Sequence, residues 1–76
     1  MKKELLDRIV TNPKVMVGKP IIKGTRIPID MIVKLVAQGM TIEEILEDYP
    51  KLSKEDVKAA LLYSAEVVGG ESILPA

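Results

Sequence analysis

Catalytic chemistry has few candidates in this chain. Glu43, Glu44, Glu47 and Asp48 form a run of carboxylates, the residue type that serves as general acid, general base or magnesium ligand. Their spacing argues against that use. Glu43, Glu44 and Glu47 fall on the side of a helix opposite the apolar stripe Ile42, Ile45, Leu46 and Tyr49, so they read as a solvated face. Ser53, Ser64 and Ser72 carry nucleophilic hydroxyls, but the chain has no histidine to activate them and no serine–lysine pair at a suitable spacing. Gly18-Lys19-Pro20 and Gly24-Thr25-Arg26 are glycine-containing segments with cations, as in phosphate loops. They lack the Gly-x-x-x-x-Gly-Lys-Ser/Thr spacing and a helix directly behind the glycines. Thr25 is expected to satisfy backbone groups in a turn, and Arg26 to pair with Asp30. No catalytic residue, metal ligand or cofactor is expected, and the chain reads as a non-enzyme.

The composition narrows the binding classes. The 76 residues contain no cysteine, no histidine, no phenylalanine and no tryptophan. Most transition-metal sites and all disulfides are thereby excluded. With Tyr49 and Tyr63 as the only aromatics, platforms that stack single-stranded bases are unexpected. No apolar run approaches the roughly 18 residues of a membrane span, and residues 1–20 lack the apolar core of a secretory signal, so a cytoplasmic protein with no membrane partner is expected. The net charge is zero, yet it divides unevenly. Residues 1–40 hold eight basic against three acidic residues, and residues 41–76 hold three against eight, giving +5 and −5. Such a chain can hold a polyanion with one end or pair head to tail with itself. A chain this short buries only about 60% of its unfolded surface, so a homodimer is expected to supply the rest.

The elements that would position these residues divide at the same place. Residues 1–29 carry β-branched pairs and triplets separated by Asn12-Pro13, Gly18-Lys19-Pro20 and Lys23-Gly24-Thr25, a pattern of short strands and turns. The expected hairpin joins Pro20-Ile21-Ile22 to Arg26-Ile27 through Lys23-Gly24, with Gly24 supplying a positive φ. Residues 30–69 read as three helices, and 70–76 as a tail that is either disordered or docks Ile73 and Leu74 on a partner. The first helix runs from Asp30, as N-cap, to Gln38, with Gly39 as the stop. The second starts at Thr41, with Glu44 completing a capping box, and ends before Pro50. The third starts at Ser53, with Asp56 as a weaker box, and carries a stripe of Val57, Ala60, Leu61, Ser64, Ala65 and Val68 up to Gly69-Gly70.

Three short helices with one apolar stripe each form a trihelical unit. The tight turn Pro50-Lys51-Leu52, with Leu52 plugging the corner, gives the last two the organisation of a helix-turn-helix. Lys51, Lys54 and Lys58 then face outward together and can contact phosphates of double-stranded DNA. Glu55 and Asp56 oppose this, although the helix dipole accounts for both. Arg, Asn and Gln, the usual readers of base edges, are absent from this helix, so a plain solvated face is the rival reading. Lys19, Lys23 and Arg26 around the hairpin form a second basic surface. Ile21, Ile22, Ile27 and Ile29 pack either on the helices or on a second chain; an isolated hairpin is barely stable, which favours a dimer interface there over a DNA-binding ribbon.

The stretch from Arg8 to Ala65 resembles a family of small prokaryotic proteins, first described without a function and now treated as antitoxins. The blocks "NPKVMVGKPIIKGTRIPI" and "QGMTIEEILEDYPKLSKEDVKAALLYSA", in that order, carry the resemblance over about three-quarters of the chain. The resemblance implies a mainly α protein with a homeodomain-like trihelical fold behind a short N-terminal β element. It also implies a toxin partner, a PIN-like ribonuclease encoded next door, and repression of the shared operon. From the residues alone, a dimeric DNA-binding regulator without a toxin and a pure oligomerisation module stay open beside it.

Overall fold

The computed structural model describes residues 2–69. It is mostly helical, with four helices and one two-stranded antiparallel hairpin. The expected tail, with Ser72, Ile73 and Leu74, lies outside the described residues. The elements are α1 (Lys2–Leu6), β1 (Ile9–Asn12), β2 (Val15–Ile22), α2 (Ile29–Ala37), α3 (Ile42–Asp48) and α4 (Lys54–Gly69).

The hairpin differs from the one expected. Pro20-Ile21-Ile22 forms its ladder backward with β1, in the register Ile9 with Ile22, Val10 with Ile21, and Thr11 with Pro20; forward, the Ile22 amide donates to the Ile27 carbonyl at 3.0 Å without forming a second strand pair. The hairpin turn is therefore Pro13-Lys14, closed by the Lys14 amide donating to Asn12 Oδ1 at 2.9 Å. The turn at Lys23-Gly24 is also present, with Gly24 at φ 80. Thr25 braces it, its hydroxyl donating to the Ile22 carbonyl at 2.7 Å and accepting from the Ile27 amide at 3.0 Å. Beyond the Ile22–Ile27 bond, the pairing across the turn amounts to an isolated bridge, Ile21 to Pro28. Pro28 has no amide to extend a ladder, and the chain enters α2 at the next residue.

A displacement in register interrupts the hairpin between Thr11 and Asn12, because Asn12 pairs with Val15 and Thr11 with Pro20. The intervening residues of β2 bulge out, and Val17 (φ 55) and Gly18 (φ 78) turn left-handed in succession. Val17 is β-branched, 95% exposed and packs nothing in return for that strain. Asparagine tolerates this backbone better, so Val17→Asn is expected to raise unfolding stability by about 1 kcal/mol, read as a higher urea midpoint at unchanged slope.

The three later helices follow local signals. Thr41 and Glu44 form the full capping box of α3: the Glu44 amide donates to Thr41 Oγ1 at 3.1 Å and the Thr41 amide to Glu44 Oε1 at 2.9 Å. Ser53 and Asp56 form the same reciprocal pair at α4, at 3.2 and 2.9 Å. Gly39 (φ 97) ends α2, its amide bonding the Val36 carbonyl. The expected cap of α2 is corrected. Pro28, extended at φ −72 and ψ 146, occupies the N-cap position without a side-chain cap. Asp30 lies inside the first turn and pairs with Lys19 at 3.3 Å, not with Arg26. Proline fixes the entry angle, and an acidic first turn still suits the helix dipole.

One core joins the two halves. Ile22 of β2, Ile29 and Ile32 of α2, Ile45 of α3, Leu52, and Val57 and Ala60 of α4 are its buried members, with Ile9 and Tyr49 packed against it. Leu52, 6% exposed, fills the corner between α3 and α4. The short helix α1, absent from the expected elements, lies against α4. No helix among the described residues is long and apolar enough to cross a membrane.

Candidate nucleic-acid interface

The six expected phosphate-contacting cations are all exposed, but they do not form one patch. Lys51 sits in the turn before α4, and Lys54 and Lys58 lie one turn apart on that helix. Three features set them outward. The reciprocal Ser53–Asp56 cap fixes the start of α4, Leu52 anchors the turn, and Val57 and Ala60 take the inward face. Glu55 shares the exposed first turn and weakens the local field.

Lys23 lies elsewhere. It shares a polar hollow with Glu4, Asp7, Arg8 and Asp56. At about 100° per residue, Asp56 points some 160–200° away from Lys54 and Lys58, so the hollow is on the opposite flank of α4. Lys19 is engaged by Asp30, and Arg26 stands exposed in the loop before α2. Lys23 is thus on a different flank from the lysines of α4, whereas Lys54 and Lys58 share one face of that helix with Lys51 in the turn before it.

Sequence reading missed Arg8. Its Nη1 donates to Asp56 Oδ1 at 3.0 Å and reaches Ser53 Oγ at 3.5 Å, tying the start of the hairpin to the cap of α4. Asp56, 7% exposed, thereby serves twice, as the reciprocal acceptor of the Ser53 capping box and as ion-pair partner. Nothing in local spacing signals a pair separated by 48 positions.

The four isoleucines expected at a dimer interface are largely interior to the single chain. Ile21, Ile22 and Ile29 are 4% exposed or less, and Ile27 is half-buried against the core. Packing within the chain accounts for their apolar character without a second copy. Among the described residues, both serines have structural partners: Ser53 caps α4, and Ser64 donates to the Ala60 carbonyl at 2.9 Å. Among the described residues, no group of three or more Asp or Glu side chains is placed to hold a metal ion. The chemistry available at this surface is charge contact by lysine.

The fold and surface define a small, mostly helical protein with a hairpin sharing the helical core and a lysine-bearing last helix. The chain belongs to the DUF433 family, described as proteins of unknown function, whose model matches residues 9–64. It is similar to the crystal structure of a DUF433 member from Anabaena variabilis, with a TM-score of 0.74 and 35% identity. That likeness covers 91% of this chain and 66% of the other. It is also 32% identical over 56 residues to the uncharacterized protein y4eO of Sinorhizobium fredii, covering 74% of this chain. The match spans only 25% of that longer relative. An uncharacterized protein of Archaeoglobus fulgidus is 60% identical over 30 residues, covering 40% of this chain and 83% of the relative.

Proposed function

We propose that this chain is a non-enzymatic antitoxin that binds and neutralises a PIN-like ribonuclease encoded beside it, and that α3 and α4 act as a homeodomain-like helix-turn-helix against the operator of the shared transcript. The observation that carries the DNA contact is the outward set of Lys54 and Lys58 on α4, with Lys51 in the turn before it, on a helix start that is both capped and anchored. The toxin contact rests on the resemblance of the "GKPIIKGTRIP" block to the antitoxin family. Lysines without Arg, Asn or Gln on α4 favour phosphate contact over base reading, so sequence preference is modest and affinity strongly salt-dependent.

Titration of duplex DNA across salt concentrations tests the DNA contact. Each neutralised phosphate contributes about 0.9 to the slope of log affinity against log salt. Lys54→Glu with Lys58→Glu is expected to reduce that slope by about 2 and to weaken binding uniformly across sequences. An unchanged slope would remove α4 as the contact. Co-expression with the neighbouring gene product tests the toxin contact separately, and DNA binding without any toxin complex would leave a stand-alone regulator.

A further inference from the structure

Beyond the core, the inward stripe of α4 outruns its cover. Val57 and Ala60 are fully buried, but one and two turns later Ser64 and Tyr63 are only half-buried, and Val67 and Val68 stand 52% and 71% exposed. With Pro20 and Ile29 they line an open, almost wholly apolar groove between the end of α4 and the start of α2. Its volume of about 230 Å³ falls below the roughly 300–1,000 Å³ of small-molecule sites, so side chains of another protein suit it better than a free ligand.

We propose that this groove is the face through which two copies of the chain form a symmetric homodimer. Three observations select a second copy as the occupant. The two exposed valines form one wall of the groove, so a half-turn rotation can seat that wall of each chain against the groove of the other. Asp30, which lines the groove, is paired with Lys19 at 3.3 Å, and both side chains are about half-exposed. Such a pair is self-complementary, because Lys19 of one copy can meet Asp30 of the other, whereas a strongly charged partner would leave one of them facing a like charge. The chain has zero net charge and so no long-range self-repulsion, and at 76 residues it gains most from burying further apolar surface. Of the four isoleucines expected at a dimer surface, Ile29 lines this groove beside Pro20 and the last turns of α4, whereas Ile21 and Ile22 are interior and Ile27 is half-buried against the core.

Light scattering of the full chain, free of toxin and DNA, tests this directly, so its failure is distinct from failure of the antitoxin reading. The expected mass is twice the 8.3 kDa of the chain. Val67→Asp with Val68→Asp is expected to give monomers with unchanged helical circular dichroism, since both side chains are solvent-exposed and outside the core. Lys58→Glu is expected to keep the dimer. A double variant that retains dimer mass would overturn the proposal. So would a monomeric full chain that dimerises only when shortened after Gly70, which would assign the groove to the chain's own tail.

Discussion

Ile32→Ala is expected to lose about 2–5 kcal/mol of stability, the largest effect of any single substitution considered for this chain. Ile32 is fully buried in α2, at the centre of the cluster formed by Ile22, Ile29, Ile45, Leu52, Val57 and Ala60. Every later helix and β2 contributes a side chain to that cluster, so a cavity there loosens all of them together. A 76-residue chain has a total of only roughly 4–11 kcal/mol at the usual stability per residue. The loss is therefore a large part of the whole, read as a fall in urea midpoint at fixed protein concentration. Ile32→Val serves as the scale, with an expected loss of about 0.5–1.5 kcal/mol. Equal midpoints for Ile32→Ala and the parent chain would show that the core is not built around this residue.

Asp56→Ala is the second large effect, at about 2–4 kcal/mol, because one substitution removes the return half of a capping box and a part-buried ion pair, leaving the Ser53 amide without its acceptor. The Asp56 carboxylate accepts from the Ser53 amide at 2.9 Å and from Arg8 at 3.0 Å. Its loss frees the first turn of α4 and unhooks the start of the hairpin together. Asp56→Asn keeps an acceptor for the Ser53 amide, so it should cost less than alanine. Arg8→Ala leaves the box intact, and the Arg8 side chain is 42% exposed, so its loss is expected to be about 1 kcal/mol. In the double variant the two losses should add to less than their sum, since each single change already breaks the same pair. Strict additivity would mean that the hairpin is held to α4 by other contacts.

These two residues mark how far the fold is legible in the sequence. The boundaries of α3 and α4, the Thr41–Glu44 and Ser53–Asp56 boxes, the Gly39 stop and the Leu52 plug depend on residues three or four apart, and each is found where local spacing places it. Strand pairing depends on choosing between partners on either side of Pro20-Ile21-Ile22. The turn signal at Lys23-Gly24 is genuine, yet the preceding strand wins because Ile9-Val10-Thr11 can continue a ladder and the residues beyond Pro28 enter a helix. The five-residue α1 has too few residues for a period to emerge, and its place depends on α4. The pairing of Arg8 with Asp56 follows from the completed fold and has no local signature.

The candidate surface is legible to a similar degree. The exposure of Lys54 and Lys58 follows from helical spacing and that of Lys51 from its turn, and all three are exposed. The separation of Lys23 and Lys19 from them does not, since it depends on the hairpin register and on Asp30. The apolar end of α4 is foreshadowed by the stripe that runs to Val68, but only the packing shows that the core stops short of it.

Co-expression of the chain with the product of the neighbouring gene, followed by pull-down and a growth assay, tests the central claim most directly. The antitoxin reading predicts a complex of fixed stoichiometry and growth restored relative to the neighbour expressed alone. A chain that stays free of the neighbour and leaves growth unrescued would contradict it.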